Sequence, residues 1–348
     1  MQQMMPPDGT SIFTITLFGS ARVDNVIKML TDLLAVEVYE NDDKQLVQPT
    51  EKKLPSNVLP HIAMIAVSGN ETLLPLLDKL QTSSLNLEET VLIAQLENDY
   101  GPLSRVVAAD SCFSPSKNYT FVAGDDDMVY HRHAVFDELP GYLWSVQRRL
   151  NNSNAAMVGY MGLHWTYPFV QWGPFVHGGP MRRRVSDATW ANQRNNAAAN
   201  QETMSPFCMD SRSRESTTPA DTGTGMDTSS LCDNIIPTGI IECYGLVAFH
   251  RSAVTPKLYQ KHHHPDFLRQ CFWGDDFWLA YYAFRMNISR YIVRSRVTNP
   301  SFALIQKLPQ PDGSVGKKAG GSGGNLMNYR RCEREIYNNI DKNCSWCM

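Results

Sequence analysis

"SIFTITLFGSARVDNVIKMLTDLLAVEVYE", Ser11 to Glu40, carries two periodicities in succession. Apolar residues alternate from Ile12 to Leu17, the period of a strand. After Gly19 and Ser20 they recur at Val23, Val26, Ile27, Leu30, Leu33 and Leu34, the period of one helix face. A second strand is expected near Val36 to Tyr39, so the stretch reads as a β–α–β unit.

The same alternation continues downstream. "HIAMIAVSG" (61–69) reads as a strand and "NETLLPLLDKLQ" (70–81) as an amphipathic helix despite Pro75. "ETVLIAQLEND" (89–99) is a further strand, a helix begins within "DYGPLSR" (99–105), and "YTFVAGDDD" (119–127) closes the series. Strands alternating with helices predict an α/β fold of Rossmann-like type, its mainly parallel sheet flanked by helices on both faces.

In such a sheet, ligands bind beyond the carboxyl ends of the strands. Asp125, Asp126 and Asp127 stand where the strand Thr120 to Ala123 ends, ahead of the helical stretch "HAVFDELPGYLWSVQRRL". Three adjacent carboxylates repel one another unless a cation neutralises them, and hard oxygen ligands suit Mg²⁺ or Mn²⁺. The competing reading is an ordinary solvated turn. A second acidic pair, Asp275 and Asp276, follows Gly274 and opens the aromatic stretch "FWLAYYAF". Aspartate at a helix start caps backbone N–H groups. Capping accounts for one aspartate more easily than for two, and a partly buried carboxylate also suits a general base.

Elsewhere the composition sets limits. A net charge of −3 over 348 residues, with no basic block beyond "MRRRV" (181–185), argues against nucleic acid as a partner. Neither a signal-peptide pattern nor an apolar run long enough to span a membrane is seen, so the expectation is a soluble, cytoplasmic protein. The cysteines do not read as a disulfide framework. His262–His264 and the terminal "CSWC" (344–347) lack metal-site spacing. Asparagine in N-x-S/T context occurs at Asn70, Asn118, Asn151, Asn287 and Asn343, with Asn287 expected inside a packed helix.

Taken in order, five stretches resemble metal-dependent GT-A glycosyltransferases related to glycosyltransferase family 2. "TITLFGSARVDNVIKMLTDLL" resembles the first strand and helix, whose turn meets the nucleotide. "NDYGPLSR" resembles a "DYGPxxK" element with Arg105 in place of lysine, and "VAGDDDMVY" resembles the DxD element. "ECYGLVAFHRSAV" resembles the glycine-containing strand beneath the acceptor site, and "WGDDFWLAYYAFRMNI" the segment that supplies the base.

The resemblance implies transfer of a sugar, with inversion, from a nucleotide-sugar (a UDP-sugar first) to a carbohydrate hydroxyl. It implies Mn²⁺ or Mg²⁺ on Asp125 and Asp127, and donor contacts from Ser20, Arg22, Asp99, Tyr100, Gly101, Arg105 and Asp126. Asp276, or else Asp275, would be the base. Trp165, Gly245 and Trp273 would face the acceptor, with Tyr167 and Trp172 as further stacking candidates. A sugar nucleotidyltransferase and a non-catalytic carbohydrate-binding protein are the alternatives.

One GT-A domain is expected over residues 10–305. It divides into a nucleotide-sugar half, 10–130, and an acceptor half, 131–305, which carries a polar insertion at 182–233 whose later part reads as disordered. A flexible glycine-rich loop (306–326) and a C-terminal helix or tail (327–348) follow.

Overall fold

A computed structural model describes residues 9–34, 61–68, 70–82, 90–150, 156–165, 182–184, 235–237, 240–259, 271–293, 305–307, 331–332 and 335. The chain forms an α/β fold around a mixed, mostly parallel sheet flanked by helices. Strands β1 (Ser11–Thr16), β2 (Ile62–Ser68), β3 (Val91–Leu96) and β4 (Thr120–Ala123) run parallel, in the order β3-β2-β1-β4. Short strands β5 (Met128–Tyr130), β7 (Gly162–Trp165), β8 (Arg182–Arg184) and β10 (Ile240–Ile241) lie outside this sheet. The sheet continues through β11 (Val247–His250), β6 (Ala156–Gly159), β12 (Ser289–Val293) and β9 (Ile235–Pro237). β11 runs antiparallel to both neighbours, whereas β6 and β12 run parallel to each other.

The period-2 pattern of β1 is used on both faces. Phe13, Ile15 and Leu17 join the core beneath α1 (Val23–Leu34), α2 (Asn70–Thr82) and α4 (Leu139–Arg149). Ile12 joins the opposite core, with α3 (Ser104–Cys112) and α5 (Asp275–Arg285). Thr14 and Thr16 fall on that second face too, where their hydroxyls reach the backbone at the start of α3.

After α1, the strand that pairs with β1 is Ile62–Ser68. The strand expected at 36–39 and the connector after it lie outside the described residues. From β1 the chain builds β2 and β3 to one side and then returns to lay β4 on the other. The carboxyl ends of β1 and β4 therefore flank a topological switch point, the place where open α/β sheets accept ligands.

Arg182–Arg184, at the start of the expected polar insertion, pair with Gly162–Trp165 as a strand, and the insertion's later part lies outside the described residues. Ile305–Lys307, at the expected domain boundary, pair with Met128–Tyr130. Two expectations change. Cys271 and Cys332 are joined by a disulfide, a pairing that their separation of 61 residues does not advertise. Asn287 is exposed in the turn after α5 rather than packed within a helix, because the helix ends at Arg285. Among the described residues no helix is long and apolar enough to cross a membrane.

Candidate functional site

Arg105 sits in the first turn of α3, and two threonines of β1 hold that turn in place. The Arg105 N–H donates to Thr16 Oγ1 (2.8 Å), Thr16 Oγ1 donates to the Pro102 carbonyl (3.1 Å), and Thr14 Oγ1 donates to the Arg105 carbonyl (2.9 Å). The guanidinium is thereby fixed at the carboxyl end of the sheet with only 2% of the side chain exposed. It donates to the Gly124 carbonyl (3.2 Å), to Asp125 Oδ1 and to Asp275 Oδ2 (2.7 Å). Acidic segments 150 residues apart in sequence thus share one cation.

That sharing has an electrostatic consequence. Removing a charge from water is costly unless an opposite charge replaces the solvent. Burial opposes the charge on Arg105, but Cys243, Asp125, Asp275 and Asp276 together hold its pKa well above the ordinary value. One guanidinium cannot compensate three neighbouring aspartates. Burial raises both Asp275 and Asp276, their partners Arg105 and the Cys243 amide only partly opposing it. Asp276 is oriented by the Cys243 N–H, which donates to its Oδ1 (2.9 Å). Gly274, not an aspartate, is the N-cap residue of α5, so the simple capping role does not describe this pair.

The triplet splits into an inward and an outward part. Asp126 is 1% exposed, accepts the Phe18 N–H at Oδ2 (3.0 Å) and forms a buried ion pair with Arg22. It therefore ties the turn after β4 to the turn after β1, and Arg22 is equally committed. Burial raises the Asp126 acid to about 6 even with Arg22 beside it. Asp125 is 32% exposed at its side chain and Asp127 is half-buried, so these two reach the surface. Gly124 makes the turn possible: a Cβ there would lie 2.8 Å from the Tyr130 ring and 2.9 Å from that of Phe13. The Tyr130 hydroxyl in turn accepts the Asp125 N–H (2.7 Å).

The remaining expected residues divide by environment. Ser20 is exposed at the rim after β1. Asp99 Oδ1 accepts the Gly101 N–H (2.8 Å), closing the turn into α3, and Gly101 has φ +59° with the Phe272 ring against its α-carbon. Tyr100 is buried edge-on to Tyr259 and belongs to the core. Trp273 is half-buried between Phe272 (ring centroids 4.7 Å apart) and Phe18 (6.1 Å), next to the turn after β1. Gly245 admits the close approach of Met161 and so has a packing role. Trp165 ends β7 opposite Arg182, while Tyr167 and Trp172 lie outside the described residues, as do His262–His264 and the "CSWC" stretch.

Cys243 was not marked by any spacing in the sequence. Its buried Sγ lies within 4.8 Å of carboxylate oxygens of Asp275 and Asp276, and burial pushes the thiol well up. A protonated thiol is a poor donor to Mg²⁺ or Mn²⁺, which take hard oxygen ligands. Asp125 and Asp127 offer oxygen donors without a thiol, Asp125 being bonded to Arg105 as Asp275 is. Just beyond Cys243, Leu246 has φ 65°, an uncommon conformation for a residue with a side chain, where the chain turns into β11.

No protein-family model matches the chain, and no curated protein matches its sequence.

Proposed function

We propose that the chain is a GT-A type glycosyltransferase that moves a sugar from a nucleotide-sugar to an acceptor hydroxyl, with inversion. One observation carries the reading: the DYGP-like segment, the aspartate triplet and the Asp275–Asp276 pair meet around Arg105 at the switch point of the sheet. Asp125 and Asp127 would hold Mn²⁺ or Mg²⁺, and a cation there would supply positive charge to the departing diphosphate.

The chain's own residues do the rest. Asp126 and Arg22 fix the loop that presents the triplet. Arg105 couples the triplet to α5 and keeps Asp275 in place. Asp276, raised by burial and oriented by the Cys243 amide, takes the acceptor proton. The acceptor oxygen bonds to the anomeric carbon as the bond from that carbon to the diphosphate breaks, its electron pair leaving with the phosphate. Trp273, half-buried, offers an apolar ring on which a sugar face can stack.

The test is a panel of nucleotide-sugars, UDP-sugars first, incubated with the chain with and without Mn²⁺. Metal-dependent release of a nucleoside diphosphate is expected, with a raised melting temperature for the matching donor. Formation of nucleotide-sugar from a sugar phosphate and a nucleoside triphosphate would replace the reading with a nucleotidyltransferase. Binding of carbohydrate without turnover of any donor would replace it with a binding protein.

A further inference from the structure

We infer that Asn287 carries an N-linked glycan and that the chain folds in an oxidising compartment. Two independent observations meet here. The first is local. Asn287-Ile288-Ser289 has the acceptor pattern, with a hydroxyl two residues on and no proline between. The Asn287 N–H donates to the Phe284 carbonyl (3.1 Å) and the Ile288 N–H to the Ala283 carbonyl (2.7 Å), the paired bonds of a left-handed helix stop. Asn287 itself has φ 55°. This cap uses the backbone alone. The carboxamide stays exposed and makes no hydrogen bond among the described residues.

The second is the disulfide between Cys271 and Cys332, both of them buried. Disulfides form and persist where proteins are secreted or face the cell exterior, and reducing compartments keep thiols free. Asparagine in this sequence context is glycosylated along that same route. The expectation of a cytoplasmic protein rested on the absence of a leader pattern, and a native disulfide weighs against it.

Geometry distinguishes Asn287 from Asn118, the other acceptor asparagine whose side chain is described. Asn118 is exposed too, but its Oδ1 lies 3.0 Å from His250 Nε2 and is engaged with that ring. Asn287 stands at the far end of α5 from Asp275, about 16 Å away at 1.5 Å per helical residue, so a glycan leaves the acidic site open. Ser289 pairs with Ala156 through its backbone and is half-buried. The Asn287 carboxamide nitrogen bonds to the anomeric carbon of an oligosaccharide carried on a lipid diphosphate. The carbon–oxygen bond to that diphosphate breaks, its electron pair stays on the phosphate, and the amide proton passes to the transferase's base.

The experiment uses the full chain isolated from its own cells. In denaturant and without reduction, thiol alkylation should leave Cys271 and Cys332 unlabelled. Treatment with peptide-N-glycosidase in heavy-oxygen water should convert Asn287 to labelled aspartate in the peptide mass spectrum. Recovery of unmodified Asn287 peptide overturns the inference, as does alkylation of both cysteines in the denatured, unreduced chain. Because Asn287→Gln also alters the helix stop, Ser289→Ala serves as the second variant. It keeps the asparagine and its turn, and it should remove the glycan at 287 completely. A glycan retained at Asn287 in Ser289→Ala overturns the inference equally.

Discussion

The two acidic segments meet at the same guanidinium yet live in different media. Asp125 and Asp127 face outward on either side of a buried Asp126, whereas Asp275 and Asp276 are both buried at the start of an aromatic helix. A half-exposed carboxylate keeps its charge through water and can exchange it for a cation. A buried one keeps its charge only through fixed partners and otherwise keeps a proton. The difference suits the first segment to metal and donor, and the second to proton transfer.

Arg105 is where this contrast is most easily broken. Arg105→Ala leaves Asp125 and Asp275 without their shared cation, and removing one partner of a buried ion pair costs about 3–5 kcal/mol. Urea unfolding should show a loss in that range together with loss of transfer. A loss below about 1 kcal/mol would mean that the segments are held together by packing rather than by Arg105.

Asp276→Asn sharpens the division of roles. It preserves size and removes the proton acceptor, and a general base contributes about 10²–10⁴-fold. kcat should fall by that order while KM for the donor changes little. If Asp275→Asn abolishes transfer and Asp276→Asn does not, the two roles are exchanged. If both variants turn over normally, the pair serves only to position α5.

Within the triplet, the inward and outward aspartates should separate stability from binding. Asp126→Ala strands Arg22 in the interior and should cost about 3 kcal/mol. Asp127→Asn keeps the side chain's size and strands no buried cation, so it should cost less stability than Asp126→Ala. It should, however, weaken Mn²⁺-dependent donor binding in titration calorimetry. Equal effects of the two substitutions on both measurements would erase the distinction between inward and outward positions.

The sequence displayed the sheet clearly, because hydrophobic period is local: Ile12 to Leu17, "HIAMIAVSG" and "YTFVAGDDD" each announce a strand without reference to the rest of the chain. It also displayed the acidic residues as candidates. Their partners were hidden, since Arg105 reaches Asp275 only once α5 has docked, and no pattern within either segment encodes that docking. Asp126 was legible as an aspartate but not as the inward one of three, a distinction made by the Phe18 amide and Arg22. The disulfide was invisible for the same reason: Cys271 and Cys332 become neighbours only through tertiary folding.

The measurement that most directly tests the buried pair is its pH dependence. Burial raises the pKa of Asp275 and Asp276 above the ordinary aspartate value of 3.8, and that of Asp126 to about 6. A raised folded-state pKa means that the native chain holds the proton more tightly than the unfolded chain does. The stabilisation is therefore fully present below about pH 3.8 and is lost as pH rises through the folded values. Asp126 completes its loss near pH 6, while the buried pair extends the decline further upward. Asp275→Asn cannot titrate and should flatten that part of the curve. The drop in urea midpoint stability between pH 5 and pH 8 should be smaller in the variant than in the wild type. Each unit by which the fold raises the Asp275 pKa within that window contributes about 1.4 kcal/mol to the difference. The groups facing the pair are Arg105, Asp125, Glu242 and Cys243, and all remain in the variant, so the difference between the curves belongs to position 275 and its neighbour. An equal drop in both proteins would show that Asp275 carries no extra proton in the fold, and that the two acidic segments differ in exposure but not in chemistry.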